Sequence, residues 1–210
     1  MAELIRDLDA RRVADNLARI REELGRDDVQ VLAAVKYLAV EELGTLAEAG
    51  ITVVGENRAQ ELEAKAAAHP ELTWDFIGHL QSRKVKQVLP RVRWIHSVAS
   101  DSALKELGKH AGPDDEVLVE VNVAREGGKS GVLPEDLDAF LERSPVRVVG
   151  LMTMPPLAER PEESRRWFAA LAELAGERGL RELSMGTSQD YAVAAQEGAT
   201  IVRLGTILYT

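Results

Sequence analysis

The run VQVLAAV, Val29 to Val35, is almost wholly apolar, rich in β-branched side chains, and followed at once by a lysine. A short run without polar alternation reads as a strand covered on both faces, as in a parallel sheet. Similar runs recur along the chain: ITVVG (51–55), WDFIG (74–78), VRWIHSV (92–98), EVLVEVNV (116–123), VRVVGLMTM (146–154), ELSMG (182–186) and IVRLG (201–205). Between them apolar residues return at helical spacing, as in Leu43, Leu46 and Ala47, or Trp167, Phe168, Leu171 and Leu174. Pro134 and Pro161 stand where first helical turns would begin, and Gly50, Gly179 and Gly198 where helices would stop.

Eight strand–helix units predict an α/β protein, a single (β/α)8 TIM barrel spanning residues 1–210 as one domain. A doubly wound open sheet is the rival. Few residues follow the eighth strand, but the opening stretch carries Leu4, Leu8, Val13, Leu17, Ile20 and Leu24. That pattern predicts an extra amphipathic N-terminal helix of about six turns, able to cover the place of a closing helix.

With 210 residues and 45% apolar content the chain can bury one sizeable core. It has no apolar run long enough to span a bilayer and no secretory-signal plan, so a soluble cytoplasmic protein is expected. The absence of cysteine excludes thiol catalysis and thiolate metal sites, and the four histidines lack ligand spacing, so no metal is expected. A net charge of −9 argues against nucleic acid and membrane as partners. The basic run SRKVKQVLPRVR (82–93) reads as the exposed face of the helix after the third strand, since Trp94 is the only aromatic beside it.

Lys36 needs an explanation in its apolar setting: either it reaches out to solvent or the site uses an amine. Chemistry in such barrels gathers at the carboxyl ends of the strands. There the sequence places Lys36, Gly55-Glu56-Asn57, Gly78-His79, Ser97, the loop NVAREGGKSG, MTM, Gly186-Thr187-Ser188, and Arg203 with Gly205-Thr206. The hydroxyls and glycines after the last two strands suit a phosphate. A lysine facing them across the mouth could form an imine with a phosphorylated aldehyde, and pyridoxal 5′-phosphate is such an aldehyde. Arg203, directed inward, could donate to the pyridine nitrogen. Because arginine cannot share a proton with the ring as a carboxylate does, the cofactor would be a weak electron sink.

Taken together, AAVKYLAVEEL, VVGENRAQELEAK, WDFIGHLQSRKVK, IHSV, VNVAREGGKSG, VVGLMTMPP, LSMGTSQDY and VRLGTILY resemble the pyridoxal phosphate homeostasis protein family over nearly the whole chain. The resemblance implies a barrel of the alanine racemase N-terminal type that holds pyridoxal 5′-phosphate as a Lys36 imine. It also implies Arg203 at the ring nitrogen, Asn57 near the ring, and Ser188, Gly205 and Thr206 at the phosphate. No catalytic residue and no turnover is implied. The chain departs from the family at Thr187, where methionine is common, and at Val35, where serine is common.

Three functions compete. A carrier in vitamin B6 homeostasis would store and protect the aldehyde and deliver it to apoenzymes, its transient partners. A racemase would need a second base, which alanine racemase takes from another domain across a dimer; without it a monomer is favoured here. A Schiff-base aldolase explains Lys36 and the phosphate loops but not Arg203. Lys129 reads as a solvated loop amine or a transit point for the aldehyde, His79 as packing or a base, and Asn57 as a possible helix cap.

Overall fold

Each of the eight apolar runs forms a strand in the computed structural model, which describes residues 4–210. They are β1 (Gln30–Ala34), β2 (Val53–Glu56), β3 (Thr73–Phe76), β4 (Trp94–Val98), β5 (Glu116–Glu120), β6 (Arg147–Met152), β7 (Glu182–Ser184) and β8 (Ile201–Leu204). All pair in parallel with their sequence neighbours, and β8 returns to β1 with Leu32 opposite Arg203, so the sheet closes into a barrel. This excludes the open sheet. The connecting helices are α2 (Leu43–Glu48), α3 (Ala59–Ala68), α4 (Val85–Val88), α5 (Asp101–His110), α6 (Leu137–Glu142), α7 (Arg165–Glu177) and α8 (Tyr191–Gln196). Pro134 and Pro161 open short 3-10 turns that lead into α6 and α7.

The first helix, α1, covers Ala10–Leu24 and is shorter than the pattern from Leu4 suggests. Asp9 caps it by accepting the Arg12 N–H at 3.0 Å, which starts the helix after Leu8. Residues before the cap are extended instead: Ile5 bridges Leu38, donating its N–H to Tyr37 O at 2.7 Å. Val13, Leu17, Ile20 and Leu24 are buried at spacings of four, three and four, and α1 packs between α8 and α2, as expected of a helix filling the eighth position.

Outward side chains of the strands, among them Val54, Trp74, Phe76, Ile95, Val117, Leu151, Val202 and Leu204, join the helices in one large apolar core. Inside the barrel the apolar cluster is small, built on Leu32, Val53 and Ile201. Beside it lies a polar group: Asp75, His96, Ser184 and Arg203 are all buried and bonded to one another in sequence. No helix among the described residues is long and apolar enough to cross a membrane.

Candidate functional site

A cavity of about 320 Å³ opens at the carboxyl ends of the strands, and Lys36, Asn57, Ser188, Arg203, Gly205 and Thr206 all line it. Lys36 lies two residues beyond β1 and is half-buried, with its Nζ 4.7 Å from the Tyr37 ring centroid. No carboxylate pairs with it among the described residues. The fold thus places Lys36 on the wall of the cavity.

Arg203 sits on β8 and is only 7% exposed. The ion pair with Glu56 or Glu120 that its position allows does not form. Its Nη1 donates to Ser184 Oγ at 2.6 Å, and its Nη2 to Thr153 O at 3.0 Å and Met154 Sδ at 2.9 Å. Burial pushes the guanidinium down to about 10, with Asp190 and Glu120 opposing that shift. Glu120, itself pushed upward by burial, accepts from Ser130 Oγ at 2.9 Å. Thr153 and Met154 lie just past β6; by leaving the strand they turn a carbonyl and a thioether toward Arg203.

After β7 the Thr187 N–H and hydroxyl both donate to Asp190 Oδ1, at 2.8 and 3.2 Å. Thr187 is thus spent on holding its own turn. Ser188 and Thr206 have no protein partner for their hydroxyls among the described residues, and Thr206 opens a 3-10 turn whose first N–H groups have no acceptor within it. With Gly205 between the strand and that turn, these groups form a donor-rich wall suited to an anion.

Asn57 does not cap α3. The helix has no side-chain cap; Glu56 instead braces the turn ahead of it, its Oε1 accepting the N–H groups of Asn57 and Arg58 at 2.6 and 3.0 Å, while Oε2 pairs with Lys65 Nζ at 2.7 Å. Lys65 also donates to Val35 O at 2.8 Å, so a fully buried pair ties the end of β1 to the end of β2 directly behind Lys36. Glu56 is among the polar residues the sequence places at the strand ends, but nothing in the sequence singles out Lys65 as its partner. Asn57 Oδ1 is left as a buried acceptor without a partner.

The other candidates are dispersed. His79 is exposed and does not line the cavity. Lys129 pairs with Glu126 and reaches Met154 O and Pro155 O at 3.4 and 3.3 Å, clipping the loop after β5 to the loop after β6. The basic run is not one exposed face: Arg93 instead points into the floor of the barrel, where it forks onto Asp75 at 3.1 and 2.5 Å.

Residues 8–210 match the family model described as alanine racemase, N-terminal domain. A pyridoxal phosphate homeostasis protein of Aquifex aeolicus is 40% identical, over 94% of this chain and 94% of that protein. The chain belongs to the pyridoxal phosphate homeostasis protein family. Another structure in its likeness is PipY of Synechococcus elongatus with PLP bound, 33% identical with a TM-score of 0.81, covering 94% of this chain and 100% of that one. Family members thus share the barrel with enzymes: the fold also matches alanine racemase of Corynebacterium glutamicum, at 18% identity and a TM-score of 0.76, where 96% of this chain covers 61% of that one.

Proposed function

We propose that this chain binds pyridoxal 5′-phosphate at the barrel mouth through Lys36 and serves vitamin B6 homeostasis by storing, protecting and delivering it to apoenzymes, without turning over a substrate. The observation that carries the reading is that one cavity joins Lys36 to Arg203 and to the free hydroxyls of Ser188 and Thr206. The residues fit the cofactor in a further respect, since Asn57 Oδ1 is an orphaned buried acceptor that a ligand would satisfy. When bound, pyridoxal 5′-phosphate supplies an aldehyde that condenses with a primary amine.

Each residue then has a physical role. Lys36 is the amine, held at the cavity wall by the Lys65–Glu56 pair behind it. Ser188, Thr206 and the backbone at Gly205 would hold the phosphate, and Arg203 would donate to the ring nitrogen. Arginine is a donor only, so it keeps that nitrogen unprotonated and weakens the ring's capacity to accept electrons from a bound amino acid.

The tyrosines support a carrier over a racemase. Tyr191 donates to Glu23 away from the cavity, Tyr209 spends its hydroxyl on Ala34 O at 3.1 Å, and the Tyr37 ring lies against the Lys36 ammonium. A base on the opposite face is missing from this set. The test is spectroscopic: the protein mixed with pyridoxal 5′-phosphate should gain a visible band, and borohydride should fix a pyridoxyl group on the peptide containing position 36. Lys36→Ala should lose both. Absence of binding in the wild type would sink the reading, and Lys36-dependent interconversion of alanine enantiomers would overturn its non-catalytic part.

A further inference from the structure

Arg203 is a buried cation held entirely by neutral acceptors, an arrangement that costs desolvation without a carboxylate to offset it. Something must keep the guanidinium from swinging toward Glu120 or Asp190, the acids whose charges it feels. The barrel interior supplies a chain of bonds that does so. Ser184 Oγ lies 2.6 Å from Arg203 Nη1 and 2.8 Å from His96 Nδ1, and His96 Nε2 lies 3.1 Å from Asp75 Oδ2. Arg93 forks onto the same carboxylate and is anchored by Gln30 Oε1 at 2.9 Å on the barrel floor.

The proton positions along this chain follow from the donor inventory. Arginine only donates, so Ser184 Oγ accepts from Arg203 and its single hydroxyl hydrogen must go to His96 Nδ1. Nδ1 is then the acceptor nitrogen, Nε2 carries the imidazole hydrogen, and that hydrogen goes to Asp75, which only accepts. From Arg203 to Asp75 every donor therefore points from mouth to floor, and the sense cannot reverse at one member alone. A second proton on His96 would aim two donors at Ser184 Oγ and strand the hydroxyl hydrogen. Burial, together with the charges of Arg203 and Arg93, holds His96 below the usual imidazole range against the pull of Asp75.

With Arg203 so engaged, three of its five N–H groups are taken, and Nε–H and one hydrogen on Nη1 are left. We propose that Ser184, His96 and Asp75 are positioning residues that lock the Arg203 guanidinium so that its remaining donors read a ring nitrogen, making the site selective for a pyridine over a ring that lacks the nitrogen. The proposal rests on pyridoxal 5′-phosphate being the ligand of this cavity.

The experiment compares dissociation constants, by equilibrium dialysis, for pyridoxal 5′-phosphate and its 1-deaza analogue, in which CH replaces the ring nitrogen. Wild type should favour the natural ring by about tenfold, the scale of one charge-assisted hydrogen bond. Ser184→Ala and His96→Ala should bring the two constants together, within about threefold by the same scale, by weakening only the natural ring; a merely structural loss would weaken both ligands alike. Thermal unfolding of each variant reports that it is folded. Folded variants that keep the wild-type ratio would overturn the proposal, as would a wild type that binds both rings equally. Failure of the wild type to bind either ring would instead strike the reading of the ligand itself.

Discussion

Lys65 and Lys36 flank the end of β1, one buried and paired, the other half-buried and free of any carboxylate among the described residues. Removing Lys65 leaves Glu56 as an uncompensated buried charge. Lys65→Met is expected to destabilise the fold by about 3–5 kcal/mol, read from urea denaturation, and to weaken cofactor binding as the β1 and β2 ends part. That the site residues gather at one mouth was legible, because Lys36 is conspicuous in an apolar run and the hydroxyl-rich ends of β7 and β8 fall at the same end of the barrel. Lys65 was not, since its helix AQELEAKAAA looks like any solvated one and only the closed barrel brings Val35 O and Glu56 to it. His96 gives a pH prediction. Its folded-state value is lowered, so the unfolded chain binds the proton first as pH falls, and stability present above about 6.5 is lost below it. The loss approaches at most about 1.4 kcal/mol per pH unit until the folded-state value is reached. Urea midpoints at pH 7.5 and 5.5 should therefore differ more for wild type than for His96→Gln.

At the scale of elements, every one of the eight apolar runs carries a strand, with β2 and β3 each reaching one residue beyond theirs, because burial on both faces leaves a signal that does not depend on distant contacts. Ends were harder to place. The segment before α1 shares the helix's apolar spacing, yet Asp9 caps the helix and leaves Ile5 to pair with the β1 exit loop. The exit of β3 shows how tightly such ends are set. A side-chain carbon at Gly78 would stand 2.0 Å from Asn57 O, so only glycine lets the β2 and β3 loops meet. Gly78→Ala is expected to cost about 1–3 kcal/mol through overpacking. It should also weaken pyridoxal 5′-phosphate binding by moving Asn57, measurable as a raised dissociation constant in dialysis.

For the whole molecule, barrel closure joins elements from opposite ends of the chain. Helix α1 takes the eighth outer position, and Asn16 Nδ2 donates to Leu208 O and Thr210 O at 3.3 and 3.1 Å. Ile20, on the same helix, has no exposed surface. Ile20→Ala should lower stability by about 2–5 kcal/mol in denaturant titration while leaving the spectrum of bound cofactor unchanged. The βα repeat was legible from period alone, and the count of eight units pointed to its closure, which the pairing of β8 with β1 shows. The polar interior was not, because Asp75, His96 and Ser184 each look like an isolated interruption of an apolar strand until the closed sheet brings them into contact. The cavity also joins residues far apart in the chain: Lys36 lies at the exit of β1, whereas Arg203, Gly205, Thr206 and Tyr209 all fall within positions 203–210. Both sides of the cavity therefore come together only when β8 closes against β1, and a sheet left open at that seam would part Lys36 from Arg203.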